Sequence, residues 1–354
     1  MHLPPRVLPL IRQGYGAYAK LRWTIPPRNI FVVKKAYNSH VGEATKSFIA
    51  HIIDKYKVNV LVENRSYEEL AQPGVRSIEQ ADLKRYVDLI VTLGGDGTIL
   101  HATSLFNRRA EELPPVLSFS MGTLGFLLPF DFSEAQQAFH DVYTSNVCVM
   151  QRQRLDVSVE TFARSTPHPV DSEATTHSTL LPDPWIDIPS TPSSSIRPSD
   201  LTCALNDLTI HRGASPHLAH LDISVNDEHI TTAIADGLTI ATPTGSTAYS
   251  LSAGGSIVHP GVPCVMVTPI CPRSLSFRPL ILPQASKISV SISPNSRGVC
   301  DLSIDGYADG QLATGDVVHV CASETPVWCV SKASDDWVHH LNGLLGFNSK
   351  FGKK

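Results

Sequence analysis

The apolar pattern changes its period near Met150, and that change restricts the chain to a fold in two unlike parts. Before it, short apolar runs alternate with helical stretches. "NIFVV" (Asn29 to Val33) reads as a first strand, and "GEATKSFIAHIIDKY" puts Phe48, Ile49, Ile52, Ile53 and Tyr56 on one helical face. "VNVLVE", "VDLIVTL" and "PPVLSFS" read as further strands. "SEAQQAFHDVY" reads as a helix in which Ser133 and Gln136 have capping-box spacing. Such alternation predicts a parallel sheet with covering helices. After Met150 strands follow one another, from "RLDVSVE" to "VVHVCAS", separated by turn signals such as Asn226-Asp227 and Asp305-Gly306. The expected class is therefore α/β plus all-β, closed by a helix in "DDWVHHLNGLLG" that docks on the rest.

The expected domains are a leader (1–26), an α/β unit (27–150), a β-rich unit (151–330) and a C-terminal helix and tail (331–354). The leader is distinctive. No Asp or Glu occurs from Met1 to Gly42, while Arg6, Arg12, Lys20, Arg22, Arg28, Lys34 and Lys35 all do. That is the composition of a mitochondrial transit peptide. Pro4, Pro5 and Pro9, which weaken an amphipathic helix, and the scarcity of Ser stand against it, the alternative being an unstructured basic tail, but targeting is the preferred reading. Residues 161–200 are rich in Ser, Thr and Pro and read as a disordered insertion.

With 42% hydrophobic residues over 354 positions the chain can bury a full core. Charged residues are only 18% and the net charge is −4, which argues against a nucleic-acid partner. No apolar run is long enough for a transmembrane helix, so no membrane partner is expected. The 7 cysteines form no CxxC and the 15 histidines no HxH or HxxxH, so no protein-held metal is expected.

"VTLGGDGTILHATSLF" runs an apolar strand into Gly94-Gly95-Asp96-Gly97-Thr98 and then a helix with Ile99, Ala102, Thr103 and Phe106 on one face. Glycines there allow a tight turn and close approach of a ligand, and the helix N-terminus suits phosphate. Asp96 would repel phosphate unless a cation or a hydroxyl proton lies between them, which suits a general base beside a phosphoryl donor. The plainer reading makes Asp96 a helix cap. A second small-residue stretch, "ATPTGSTAYSLSAGGSIVHP", turns at Pro243-Thr244-Gly245 and then starts a helix at Thr247, Ala248, Tyr249 and Ser252. Small side chains there admit a flat ligand and hydroxyls reach ribose or phosphate. Close packing of helix on sheet is the competing explanation.

Together "LGGDGT", "LGFLLPF", "ALNDLTIHRG", "TPTGSTAYSLSAGG" and "TPICPRSLSFRPLILP", in this order, resemble the NAD kinase family. The likeness runs from about Pro27 to Phe351. The basic leader, "PPRNIFVVKK", Arg273 and "GLLGFNSKF" look most like its fungal mitochondrial NADH kinase branch. The resemblance implies an N-terminal Rossmann-like parallel α/β domain and a C-terminal β-sandwich-like domain, with the C-terminal helix packing back. It implies ATP-dependent phosphorylation of the 2′-hydroxyl of the adenosine ribose of NADH or NAD+, Mg2+ carried with ATP, and a homo-oligomer in the mitochondrial matrix, the cytoplasm being the alternative. It assigns Asp96 as catalytic base and Gly94, Gly95, Gly97 and Thr98 to phosphate. It assigns Asn206, Asp207, Asp236, Thr244, Gly245, Thr247, Ala248, Tyr249, Ser252 and Arg273 to the dinucleotide. Many members have His where this chain has Arg273. Its fixed positive charge would disfavour the cationic nicotinamide of NAD+ relative to NADH. Arg212 could pair with a phosphate across the cleft, but an Arg at a strand end is more often solvated or ion-paired, so it is set aside. Two rival readings remain: a lipid kinase of the diacylglycerol or sphingosine type, which shares Gly-Gly-Asp-Gly-Thr, and a dinucleotide sensor without turnover.

Overall fold

A computed structural model describes residues 3–13, 18–106, 112–122, 125–161, 202–332 and 336–346. The first part is a ten-stranded sheet among the described residues. Its parallel portion runs across the sheet in the order Val75–Ile78, Asn59–Glu63, Asn29–Lys34, Leu89–Gly94, Val116–Ser120. Asn29–Lys34 and Leu89–Gly94 are buried at every position, as strands covered on both faces must be. Winding reverses between these two strands. Their carboxyl ends therefore flank a crevice at a topological switch point, where open α/β sheets receive ligands.

Helix Ser39–Tyr56 buries Phe48, Ile49 and Ile52, and Asn38 caps it by accepting from the Val41 N–H. Helices Asn64–Leu70 and Gln80–Tyr86 escape sequence reading because each has only 7 residues. The capping box lies two residues ahead of Ser133. Asp131 accepts from the Ser133 N–H at 2.9 Å, and Glu134 accepts from the Asp131 N–H at 3.0 Å. The reason is a single 3-10 turn, Phe132–Glu134, that precedes helix Ala135–Tyr143.

Two domain expectations need correction. The described part of the leader is ordered. Leu10–Gln13 and Tyr18–Arg22 form an antiparallel hairpin, and Tyr18–Arg22 pairs with Val147–Arg152. Ala19, Leu21 and Trp23 are buried, and a single carboxylate, Asp88, accepts the backbone N–H groups of Val7, Arg28 and Asn29 at 2.5, 2.7 and 2.9 Å. In "YAKLR" the basic residues are the solvent side of a period-two strand, so the same lysine and arginine serve both readings of the composition. The domain borders also move. Val147–Arg152 and Val327–Ser331 both lie in the first sheet, the latter antiparallel to the former and parallel to Val116–Ser120. The chain leaves this sheet after Arg152 and returns at Val327.

Between these points two six-stranded antiparallel sheets face each other among the described residues. Leu155, Leu221, Val290 and Val318 of one meet Leu208, Ile210, Leu238 and Leu302 of the other in a shared core. Asn226 and Asp227 both have positive φ (53° and 67°), the conformation of a tight hairpin turn. "CALNDLTIHR" is not one strand. Thr202–Ala204 joins one sheet and Asp207–His211 the other, so Asn206 sits where the chain crosses between them. Apart from Thr161, the proposed insertion lies outside the described residues, as does the tail at 347–354. Helix Asp336–Leu345 docks as expected, with the Trp337 ring 4.9 Å from that of His259.

Candidate active site

Strand Leu89–Gly94 delivers the first glycine turn to the crevice, and helix Asp96–Ser104 starts directly after it. The turn is closed by the Thr98 N–H donating to the Gly95 carbonyl and the Gly95 N–H to the Thr98 hydroxyl, at 2.9 and 3.3 Å. At Gly94 an added Cβ would overlap the Thr98 hydroxyl. At Gly95 and Gly97 it would meet nothing within 4 Å. Gly95 has an extended φ of −118°, so no backbone strain demands glycine there. The open room lies at the first turn of a 9-residue helix, whose free N–H groups attract an anion.

Asp96 does not cap its own helix. Its two carboxylate oxygens accept from the Phe126 and Leu127 N–H groups at 3.1 Å each, and Gly125 leaves no room for a Cβ beside them. Burial pushes the carboxyl above its ordinary range, while the two N–H groups and the Arg152 charge oppose the shift. Each oxygen retains a lone pair with which to take a proton.

The second glycine turn is a 3-10 turn, Thr244–Thr247, followed by a one-turn helix, Tyr249–Ser252. It is shorter than the expected helix. Its interior is filled by the protein. A Cβ on Gly245 would overlap the Asn206 backbone, and one on Gly255 the Ser250 side chain. Thr242 donates to the Leu205 carbonyl at 2.7 Å and accepts from Gly245 at 3.1 Å. Ser246 exchanges two hydrogen bonds with Val258, both at 3.0 Å, and Ser250 bonds Thr268 at 3.1 Å. For Gly245 the packing explanation therefore holds. Tyr249 and Ser252 remain outward-facing and exposed.

Buried Asp207 and half-buried Asp305 form a pair beneath this turn. Asp305 accepts from the N–H groups of Leu205, Asn206 and Asp207 at 2.8, 2.7 and 3.3 Å. Burial, opposed by those bonds and by Arg154, leaves its pKa at about 6. Burial and the Asp305 charge push Asp207 up to about 7, against the Tyr249 N–H it accepts. Asn206 is half-buried, and among the described residues its amide has no partner.

Asp236 and Arg273 lie at the other end of strand Gly237–Ala241, about 20 Å of extended chain from Thr242. Asp236 accepts from Arg212 Nε at 2.6 Å, which makes Arg212 an ion-paired rather than a solvated strand-end residue. Arg273 is exposed, and its backbone N–H donates to Ile234 at 2.8 Å. The structure thus joins Asp96, Thr244, Asn206, Asp207 and Tyr249 around one seam, with Asp236 and Arg273 at its far end.

Sequence reading missed two residues and one cluster. Asp305 read only as a turn residue. Arg152, on the last position of its strand, carried no signal. Glu63, Arg65 and His101 form a third group: Glu63 accepts from Arg65 at 3.2 Å and lies 2.8 Å from His101 Nε2. Burial would raise Glu63, yet His101 and Arg65 hold it below the ordinary carboxylate range. Burial raises the Tyr307 phenol, which also feels the charges of Arg65, Asp305 and Glu63. A cavity of about 690 Å³ between helix Ala135–Tyr143 and the strands beside it contains none of the candidate residues.

Two family models match the chain, the ATP-NAD kinase N-terminal domain at residues 31–147 and the ATP-NAD kinase C-terminal domain at 205–331. The mitochondrial NADH kinase of Schizosaccharomyces pombe is 39% identical, over 99% of this chain and 85% of that protein. The mitochondrial NADH kinase of Saccharomyces cerevisiae is also 39% identical, over 94% and 83%. A yeast NADH kinase complexed with NADH superposes with a TM-score of 0.83 at 38% identity, covering 99% of this chain and 97% of that one. An NAD kinase from Archaeoglobus fulgidus in complex with ATP shares the fold, with a TM-score of 0.60 at 21% identity over 90% and 97%.

Proposed function

This chain belongs to the ATP-NAD kinase family, and on that premise we propose how its residues carry the reaction. The activity is ATP-dependent phosphorylation of the 2′-hydroxyl of the adenosine ribose of NAD(H). Asp96 is the general base. The 2′-oxygen attacks the γ-phosphorus in line, its proton passes to an Asp96 oxygen, and the ADP oxygen leaves. Gly94, Gly95, Gly97 and Thr98 shape the phosphate site, and the donors are the N–H groups that the turn leaves free in the first helical turn, such as that of Gly97. Asn206, Asp207, Asp236, Thr244, Thr247, Ala248, Tyr249, Ser252 and Arg273 line the dinucleotide path, while Gly245 supports it by packing against Asn206.

The observation that carries this reading is a carboxylate at a switch-point strand end, held between two backbone N–H groups and beside two glycines that face open room. Among the described residues no group of three His, Cys, Asp or Glu could hold a metal ion. Mg2+ carried with ATP would be held mainly by the phosphates rather than by protein side chains, and would supply neutralisation of their charge. Arg273 biases the enzyme towards NADH. The protein works as a homo-oligomer in the mitochondrial matrix, where it supplies NADPH; the two fungal relatives described above are mitochondrial NADH kinases.

The test is steady-state phosphorylation by the full chain, with ATP and Mg2+ as donor and NADH or NAD+ as acceptor. Higher kcat/KM for NADH, reduced towards parity in Arg273→His, supports both assignments. Equal values in both proteins remove the role given to Arg273. NADH binding without turnover would reinstate the sensor reading.

A further inference from the structure

We propose that Arg152 is a positioning residue for phosphoryl transfer, which braces the segment holding Asp96 against the second glycine turn. The proposal rests on the reading of Asp96 as the base. Arg152 ends the strand from which the chain leaves the first sheet, and only 7% of it is exposed. One arm of its guanidinium donates to the Thr244 hydroxyl at 3.3 Å and the other to the Phe126 carbonyl at 3.2 Å.

The Phe126–Leu127 peptide group lies between the two charged residues. Its carbonyl accepts from Arg152 and its N–H donates to Asp96 at 3.1 Å. Hydrogen bonds in such a chain polarise one another, so cation, peptide and carboxylate strengthen as a unit. The Thr244 contact ties that unit to the turn that packs on Asn206, and so sets the spacing between base and dinucleotide.

Arg152 makes no ion pair among the described residues, and its Nε is buried without a partner. A buried cation without a counter-charge costs stability, which an uncharged side chain of similar size would avoid. Its charge acts on Asp96 instead. The other titratable groups that it faces are the His259 imidazole, lowered first by burial and then by this charge, and the Cys329 thiol, raised by burial and opposed by Arg152.

The experiment compares Arg152→Lys, Arg152→Gln and Arg152→Met with Asp96→Asn in the full chain, by pH profiles of kcat at saturating NADH and ATP. Thermal midpoints and NADH affinity are measured alongside. We expect Arg152→Gln and Arg152→Met to lower kcat by roughly tenfold or more, to alter both KM values less, and to move the acid limb to higher pH. Arg152→Lys should keep the acid limb while recovering only part of kcat, since an ammonium lacks the planar fork. An acid limb unchanged in Arg152→Gln, in protein that melts and binds NADH as the parent does, overturns the proposal. If Arg152→Met fails to fold, the glutamine variant, which keeps hydrogen-bond donors and removes the charge, decides alone. Full activity in Asp96→Asn would sink the base assignment itself, an outcome distinct from a normal Arg152 profile beside an inactive Asp96→Asn.

Discussion

At Gly95 and Gly97 in the first glycine turn, a Cβ would meet no protein atom within 4 Å; at Gly245 and Gly255 in the second it would run into Asn206 and Ser250. Both turns are crowded with small residues, yet the missing side chains serve different neighbours. In the first, the room belongs to whatever binds at the helix N-terminus. In the second it is already filled by backbone and hydroxyls. Glycine in a sequence says that a Cβ is absent, not what takes its place.

The hydroxyls differ in the same way. Those of Thr242, Ser246 and Ser250 bond the protein itself. The rim of the second turn is open to solvent, with Tyr249 and Ser252 exposed and Thr247 and Ala248 half-buried. The first turn leaves its room open, and the second fills its own and exposes an edge.

The comparison would break most visibly at Asp96. Asp96→Asn should lower kcat by about 10²–10⁴ in protein that still binds NADH, as stopped-assay kinetics beside fluorescence titration would show. A smaller loss makes Asp96 an anchor for residues 126–127 and nothing more. Next comes Gly245→Ala, which should destabilise the fold by about 1–3 kcal/mol, read from the urea midpoint, because backbone occupies the space its methyl needs. An unaltered midpoint with lost NADH binding would transfer that room from the protein to the ligand.

Gly95→Ala is the converse case. Its stability should stay within about 0.5 kcal/mol of the parent. Its KM for ATP should rise by on the order of tenfold, one hydrogen-bond's worth of phosphate contact. ATP kinetics identical to the parent would show that the open room holds no phosphate.

The mildest effect concerns the scaffold beneath the second turn. Asp207, with its folded pKa raised to about 7, binds a proton that the unfolded chain has already released. Folded protein therefore holds more protons between the two values, and its contribution to stability falls as pH rises through about 4 to 7. Dinucleotide donors require the ionised carboxylate, so NADH affinity should strengthen by severalfold from pH 6 to 8. Asp207→Asn should flatten that dependence in the same titration. An equally steep dependence in the variant assigns the proton to another group, with Asp305 the first candidate.

Several features were readable from local pattern. The continuous apolar run before Gly94 announced a strand covered on both faces, and the glycines after it a turn into a helix. Asn226-Asp227 announced its hairpin. The order of the leader was not legible because acid-free basic composition fits a targeting segment as well as it fits the outer face of a two-residue repeat. Buried Ala19 and Leu21 separate the two, and burial is not a local property. Arg152 and Asp305 were invisible because nothing beside them in sequence needs a charge.

By itself, the sequence determined the change from strand–helix alternation to successive strands, the strand–turn–helix around Asp96 and membership of the family. Periodicity, turn chemistry and ordered motifs are written in neighbouring residues. Only the tertiary structure decided which glycines face open room, that the leader joins a sheet, and which charges meet. Those outcomes depend on contacts such as Val7 with Asp88, 81 residues apart, Arg152 with Thr244, 92 apart, and Leu205 with Asp305, 100 apart. A buried carboxylate or guanidinium takes its state from partners that folding brings to it, and short-range pattern carries no record of them.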